Sequence, residues 1–485
     1  MDNATLSKIT LSEGALIRDA YQAFDKTGLG LVLICREDHT LAAIATEGDV
    51  RRAILSGQGL KSPLLPFANP DPSIGYIHES RETLSTRLSS ERYCLPILDS
   101  NGALVDLYYH DRRTIIPIAS PTIGEKELQY VSDAVLSGWI SSKGKYIDRF
   151  EERFAAFCSA PRACAVSNGT TALHLALLAA GVGEGDEVIL PSLTFISPAN
   201  AISYCGAKAV FVDVEADSWN IDPGAVEVAI TPKTKAIVAV HLYGNPCRMA
   251  DLQRIADGHG LTVIEDAAEA HGACIDGRPV GSWGDYACFS FFGNKILTTG
   301  EGGAIIAKDA KKDAYIRMLR DHGMDPKRRY WHEEVGYNYR MTNLQAAIGV
   351  AQIERSSEIL DAKERIKRRY DKALANVSIR CPIEDSNAAS VCWLYTFVVE
   401  AFENAIERDL LIDRLKEKGI DSRPVFNVIP AMPPFYEADW EDRYPIARRL
   451  SETGISLPSL IESTDDQIDS IAQAVTSLIS TNPKS

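Results

Sequence analysis

Between residues 163 and 310, seven short runs of β-branched or apolar residues alternate with stretches of helical periodicity. The runs are "ACAVS", "EVILPSL", "KAVFVDV", "KAIVAVHLYG", "TVIEDAA", "YACFSFF" and "GGAIIAKD". Each is apolar on both faces. Such strands must be covered on both sides, and parallel neighbours need a crossover that is usually a helix. The pattern predicts an α/β fold built on a mostly parallel seven-stranded sheet.

A chain of 485 residues is longer than one hydrophobic core normally serves, so further domains are expected. Residues 1–115 have a different texture. The stretch "IRDAYQAFDKTGLGLVLICREDHTLAAIATEGDVRRAIL" reads helix, strand, strand, helix, and "ERYCLPILDSNGALVDLYYHD" is a shorter echo of its two strands. Two such half-units predict a small pseudo-symmetric α/β module. A connector over 115–124, carrying Pro117 and Pro121, leads into a large domain at 116–345. Residues 346–485 are expected to form a smaller α/β domain. It would hold most of one amphipathic helix, "NLQAAIGVAQIERSSEILDAKERIKRRYDKAL", and the β-like runs "CWLYTFVVE" and "GIDSRPVF".

The net charge of −15 argues against nucleic acid or an anionic membrane surface as partner. The ten cysteines form no CxxC and no His/Cys cluster, so neither a zinc site nor a disulfide framework is signalled. The start "MDNATLSKIT" lacks the basic and apolar regions of a signal peptide, and runs such as "LGLVLIC" are too short to span a bilayer. A reducing cytoplasm is the expected compartment.

Three motifs can carry chemistry. In "AVSNGTTALHLALLAAG", Asn168 and Gly169 form a turn, and Thr170 and Thr171 open a helix. A helix N-terminus suits an anion, although threonine there also serves as a plain cap. In "LTVIEDAAEAHGA", Glu265 and Asp266 stand at the C-terminal end of a buried strand, where open α/β sheets place ligands. A helix-capping aspartate is the alternative. In "FSFFGNKILTTGEGG", Lys295 follows a strand in a loop rich in Gly and Thr, where a solvated lysine is the ordinary reading. Taken together, a phosphate cup, a strand-end carboxylate and a loop lysine are the components of a pyridoxal 5'-phosphate (PLP) site. Phe195, just past another strand end, could stack on the ring. The glycine-rich "GVGEGDE" follows a helix and lacks the third glycine of a dinucleotide fingerprint, so an NAD site is set aside.

From about 117 to 475 the chain resembles the DegT/DnrJ/EryC1/StrS sugar aminotransferases, a fold-type I PLP family that aminates nucleotide-linked keto sugars. The resemblance is carried by "GWISSKGKYIDRFEERFA", "VSNGTTALHLAL", "LPSLTFISPANAI", "IEDAAEAHGA", "SFFGNKILTTGEGG", "GYNYRMTNLQAAIG" and "SRPVF". It is strongest to the branch that converts GDP-4-keto-6-deoxy-D-mannose to GDP-perosamine with L-glutamate as donor and 2-oxoglutarate as by-product.

The resemblance implies a role for each matching residue. Lys295 would form the Schiff base and shuttle a proton. Asp266 would pair with the ring nitrogen, and Glu269 would lie near the phenolic oxygen. Gly169, Thr170, Thr171 and Ser290 would hold the phosphate, and Phe195 would stack. Asn338 would reach the phosphate of the neighbouring subunit, which implies a homodimer or a higher homo-oligomer. Trp139, Lys143, Arg423, Asn427 and Pro430 fall on the substrate side. That branch commonly reads "RPVFYPLH", whereas this chain has "RPVFNVIP", so Asn427 and Pro430 replace a tyrosine and a histidine. UDP- and dTDP-linked 4-keto sugars therefore stay open. A sugar dehydratase of this type usually replaces the lysine, and this chain keeps it. A non-catalytic nucleotide-responsive regulator is the remaining alternative.

Residues 1–115 are similar to a pair of CBS domains. In "ATEGDVRRAIL", Thr46 and Asp49 match positions that bind a nucleotide's ribose and phosphate in such domains, and Arg51 and Arg52 could meet phosphate charge. The alternative is a module that only packs.

Overall fold

A computed structural model of the chain describes residues 3–27, 29–79, 83–84, 87–88, 94–109 and 115–480. It divides into two compact units, 1–115 and 116–485.

In the first unit, β1 (Thr10–Ser12) runs parallel to β2 (Leu31–Cys35), which pairs antiparallel with β3 (Leu41–Thr46). The same order recurs in β4 (Gly75–Tyr76), β5 (Cys94–Leu98) and β6 (Leu104–Tyr109). The expected repeat is therefore present in the strand order. Residues 91–93 and 110–111 of the second echo lie outside the described residues. The two hairpin turns meet: Leu41 N donates to Gly102 O, and Leu104 N to His39 O.

In the second unit the seven apolar runs become β7 (Cys164–Val166), β8 (Glu187–Pro191), β9 (Lys208–Val212), β10 (Thr234–Val240), β11 (Thr262–Asp266), β14 (Tyr286–Ser290) and β15 (Gly303–Ala307). Two two-residue strands, β12 (Cys274–Ile275) and β13 (Arg278–Pro279), lie between β11 and β14 and pair outside this sheet. The sheet order is β7-β15-β14-β11-β10-β8-β9, with β15 antiparallel to both of its neighbours and the remaining pairs parallel. Chain order reverses between β10 and β8, and the crevice beyond the strand ends at such a point is where this architecture holds ligands.

Beyond this sheet, β17 (Ala388–Ala389) joins β12 and β13. β16 (Ile379–Arg380), β18 (Tyr395–Val399), β20 (Gly454–Leu457) and β19 (Arg423–Pro424) form an antiparallel sheet in that order. This smaller sheet has its own core, including Tyr370, Phe397, Leu457 and Ile471. The amphipathic stretch expected as one helix is two, Asn343–Glu354 and Ser356–Ala373, broken at Arg355. The first packs on helices Glu125–Leu136 and Lys145–Phe157 of the large domain and not on the small sheet. The reason is composition: Ala346, Ala347, Gly349 and Val350 allow close approach, and a Cβ on Gly349 would meet the Phe150 ring at 2.6 Å. The connector pairs with the small domain, Ile116 N donating to Gly419 O and Asp421 N to Ile116 O.

Candidate active site

The ends of β8, β10, β11 and β14, the start of helix Gly169–Ala179 and the segments flanking β18 and β19 enclose one cavity of about 630 Å³. Asp266, Glu269, Lys295, Gly169, Thr170, Thr171, Ser290, Phe195 and Arg423 all line it. Segments as distant in sequence as 169 and 423 are thereby brought to one place.

The helix start is shaped by its cap. Asn168 Oδ1 accepts from Thr171 N at 2.9 Å, and Thr171 Oγ1 accepts from Asn168 N at 3.2 Å, a reciprocal capping box. Thr171 is therefore committed to the cap, through both its amide and its hydroxyl. That leaves the amides of Gly169 and Thr170, two residues of the cavity lining, which a helix cannot satisfy internally. Thr170 Oγ1 lies 2.9 Å from Ser197 Oγ. Gly169 is required by proximity, since a Cβ there would stand 2.9 Å from that of Ser290. Together these groups form an anion cradle at a helix N-terminus.

Asp266 is buried and has one backbone donor, Ala268 N at 3.1 Å. Burial is the main reason its carboxyl is pushed up to about 6. Glu265 points the other way, where His241 Nε2 and the amides of Gly281, Trp283 and Gly284 surround it. Burial would raise its carboxyl too, but the hydrogen bonds from His241, Gly281 and Gly284 hold it below the usual value. Lys295 is largely buried, with Nζ 3.2 Å from Glu269 Oε1. The other Glu269 oxygen accepts from Tyr243 N at 2.9 Å. His271, enclosed by Phe154, Phe289 and Phe291, is held neutral by burial, its ring pushed down to about 3.

One wall of the cavity is aromatic. Trp393 stacks on Tyr243 (6.0 Å, 16°), Tyr243 on Phe426 (5.5 Å, 8°), and Phe426 tilts against Phe195 (5.9 Å). Tyr243 adopts a left-handed backbone (φ 53°) to enter this row. Ser197, Tyr204, Glu301, Trp393 and Phe426 also line the cavity and were not singled out from sequence. Trp393 was visible as an aromatic at the head of "CWLYTFVVE", but its place depends on a contact 98 residues away in the chain, with Lys295.

Other expected residues fall elsewhere. Asn338 Oδ1 accepts from Arg340 Nε and does not line this chain's own cavity. Trp139 and Lys143 are exposed outside it, and Asn427 is exposed beside it. Pro430 is buried in a short 3-10 turn, Ile429–Ala431, and does not reach the cavity. In the first unit, Thr46 and Asp49 bond each other: Thr46 caps helix Glu47–Leu55, and Asp49 Oδ2 accepts from both Thr46 N and Thr46 Oγ1. Arg52 pairs with the other Asp49 oxygen, and Arg51 is exposed.

A cavity holding a lysine, an under-partnered buried carboxylate and an anion cradle fits PLP. Among the described residues no cation pairs directly with Asp266, and a protonated ring nitrogen would supply that charge. Residues 121–476 match the model of the DegT/DnrJ/EryC1/StrS aminotransferase family. The chain belongs to this family. Its aminotransferases depend on PLP, so this is a PLP-dependent aminotransferase.

Relatives and solved structures agree with that placement. The GDP-perosamine synthase of Caulobacter vibrioides is 47% identical over 363 residues, covering 74% of this chain and 97% of the relative. That of Vibrio cholerae is 42% identical over 362 residues, covering 74% and 98%. The sugar aminotransferase Spr1654 from Streptococcus pneumoniae in its PLP form superposes with a TM-score of 0.72 at 29% identity, over 76% of this chain and 99% of that one. DesV of S. venezuelae gives 0.68 at 35%, over 72% and 93%. The family match begins at residue 121, after the first unit. Among the described residues no group of His, Cys, Asp or Glu is arranged to hold a metal ion. Among them, too, no helix is long and apolar enough to cross a membrane.

Proposed function

We propose that this enzyme transfers the amino group of L-glutamate to C4 of GDP-4-keto-6-deoxy-D-mannose, giving GDP-perosamine and 2-oxoglutarate. One observation carries the chemistry: Lys295, Asp266 and the Gly169 helix start line a single cavity. The sugar follows from the relatives, which share 42–47% identity with this chain across nearly their whole length.

When bound, PLP supplies a ring that withdraws electrons from the amine being transferred. Asp266 keeps a proton on the ring nitrogen. Gly169, Thr170 and Ser290 hold the phosphate, and Phe195 covers one face. Glu269 Oε1 orients the Lys295 amine, which anchors the cofactor and, once released, carries the proton at the reacting carbon. Burial of Asp266 and the aromatic wall exclude water from this exchange. Arg423, a cation lining the cavity, meets the anionic substrate.

The working form is a dimer in which Asn338 completes the partner's phosphate site. The first unit is a CBS-like module whose repeated strand order supports that reading. A nucleotide there would add to, or displace, the Thr46–Asp49 bonds. Ten free cysteines suit a reducing cytoplasm.

The test is to supply GDP-, UDP- and dTDP-linked 4-keto-6-deoxyhexoses with L-glutamate and identify the aminated product. The GDP sugar should be converted preferentially. Conversion of only a UDP or dTDP sugar would overturn the substrate assignment, and no conversion of any would overturn the transamination.

A further inference from the structure

Lys295 rests against more than a carboxylate. Its Nζ lies 3.9 Å from the centroid of the Trp393 ring, which also lines the cavity. Trp393 is itself fixed from several directions. Its Nε1 donates to Asn294 O at 2.7 Å, its backbone N donates to Tyr243 O at 3.1 Å, and its ring stacks on Tyr243. Its carbonyl accepts from Lys363 Nζ at 2.9 Å. The indole therefore holds the backbone one residue before Lys295 with its edge and faces the amine with its ring.

Lys363 is unusual in its own right. It is 4% exposed and gives its hydrogens to two carbonyls, Trp393 O and Ser459 O. Burial lowers it to about 8. An expensive buried amine is here spent on fixing the loop that carries Trp393.

We infer that Trp393 is a positioning residue: its ring and Glu269 form a berth that keeps the Lys295 ammonium in the cavity whenever the amine is not covalently engaged. The inference rests on reading Lys295 as the reacting amine. An indole face attracts a cation, more strongly where water is excluded. Glu269 supplies the opposite charge, and its bond from Tyr243 N keeps the carboxylate from turning away. The ionisable groups near the ammonium are Glu269 and Asp266, from the end of β11 and its following loop, and neutral His271. A flexible lysine without a berth would sample the whole cavity, and each return to the reacting position would cost ordering entropy.

The test uses the full-length chain without cofactor, with Trp393 replaced site-specifically by mono-, di- and tetrafluorinated tryptophan. Fluorination drains the ring face of negative potential while nearly keeping its shape. Acetylation of each lysine by an N-hydroxysuccinimide ester is then followed by peptide mass spectrometry. The Lys295 rate should climb with fluorination, by about three- to tenfold at the tetrafluoro form, while other lysines stay unchanged. Trp393→Phe should remain within about twofold of the native rate, and Trp393→Leu should match or exceed the tetrafluoro form. A Lys295 rate that is flat across the fluorinated series overturns the berth. Borohydride trapping of PLP on Lys295 tests the underlying reading separately. Lost trapping with a graded acetylation series would remove the anchor and leave the berth.

Discussion

Glu265 and Asp266 are consecutive in β11, yet the sheet turns them to opposite faces and gives them opposite electrostatics. Alternation along a strand places Glu265 among four N–H donors and Asp266 at the cavity with one. The first is satisfied and structural. The second is left short of partners, which is what a cofactor-pairing carboxylate requires.

Asp266 should therefore cost stability in the cofactor-free protein. Its folded carboxyl lies near 6 and its ordinary value is 3.8, so between these the native state holds a proton that the unfolded chain has released. Stability falls as pH rises through that window. Asp266→Asn should match the native chain near its acid limit and exceed it at neutral pH by roughly 2–3 kcal/mol. Urea midpoints at the two pH values check this. The same variant should lose transamination by about a hundredfold or more.

Glu265→Ala should do the reverse and destabilise the scaffold. Four buried donors would lose their acceptor, at a cost of roughly 3–5 kcal/mol, and Glu265→Gln should lose less because one oxygen remains. Because the folded carboxyl is held low, its contribution is present above its unfolded value and lost as pH falls through the folded one. Circular dichroism melts on both variants read the difference.

Gly169→Ala should separate binding from folding. The added methyl meets Ser290 at 2.9 Å, so the cradle must open while the helix itself gains propensity. We expect PLP affinity to fall about tenfold, equivalent to about 1.4 kcal/mol, with little change in melting temperature. Absorbance titration of the cofactor measures the first and calorimetry the second.

Thr46→Ala should cost the first unit about 1 kcal/mol through loss of its cap, and leave transamination at saturating substrate unchanged. Differential scanning calorimetry and steady-state rates check the pair. Lower nucleotide binding without destabilisation would assign Thr46 to a ligand instead.

All seven strands of the large sheet were legible as apolar runs, because a strand buried on both faces announces itself locally. Their order was not. β15 inserts between β7 and β14 although about 140 residues separate it from β7, and only tertiary packing decides that. Lys295, Asp266 and the Asn168–Thr171 turn could be found because strand ends and caps are local signals. Trp393, Tyr243 and Phe426 could not, since each matters only through rings brought from other segments. Thr171 adds a second local signal: the spacing from Asn168 to Thr171 is itself a capping signal, and the residue both closes the cap and lines the cavity.

The aromatic row has one more consequence. Tyr243 and Phe195 follow strands of the large sheet, whereas Trp393 and Phe426 flank strands of the small one, so neighbouring rings come from opposite sides of the cleft. Tilting the small domain away would part every ring pair together. Such a wall would act as a latch with a single release and not as a hinge that yields by degrees.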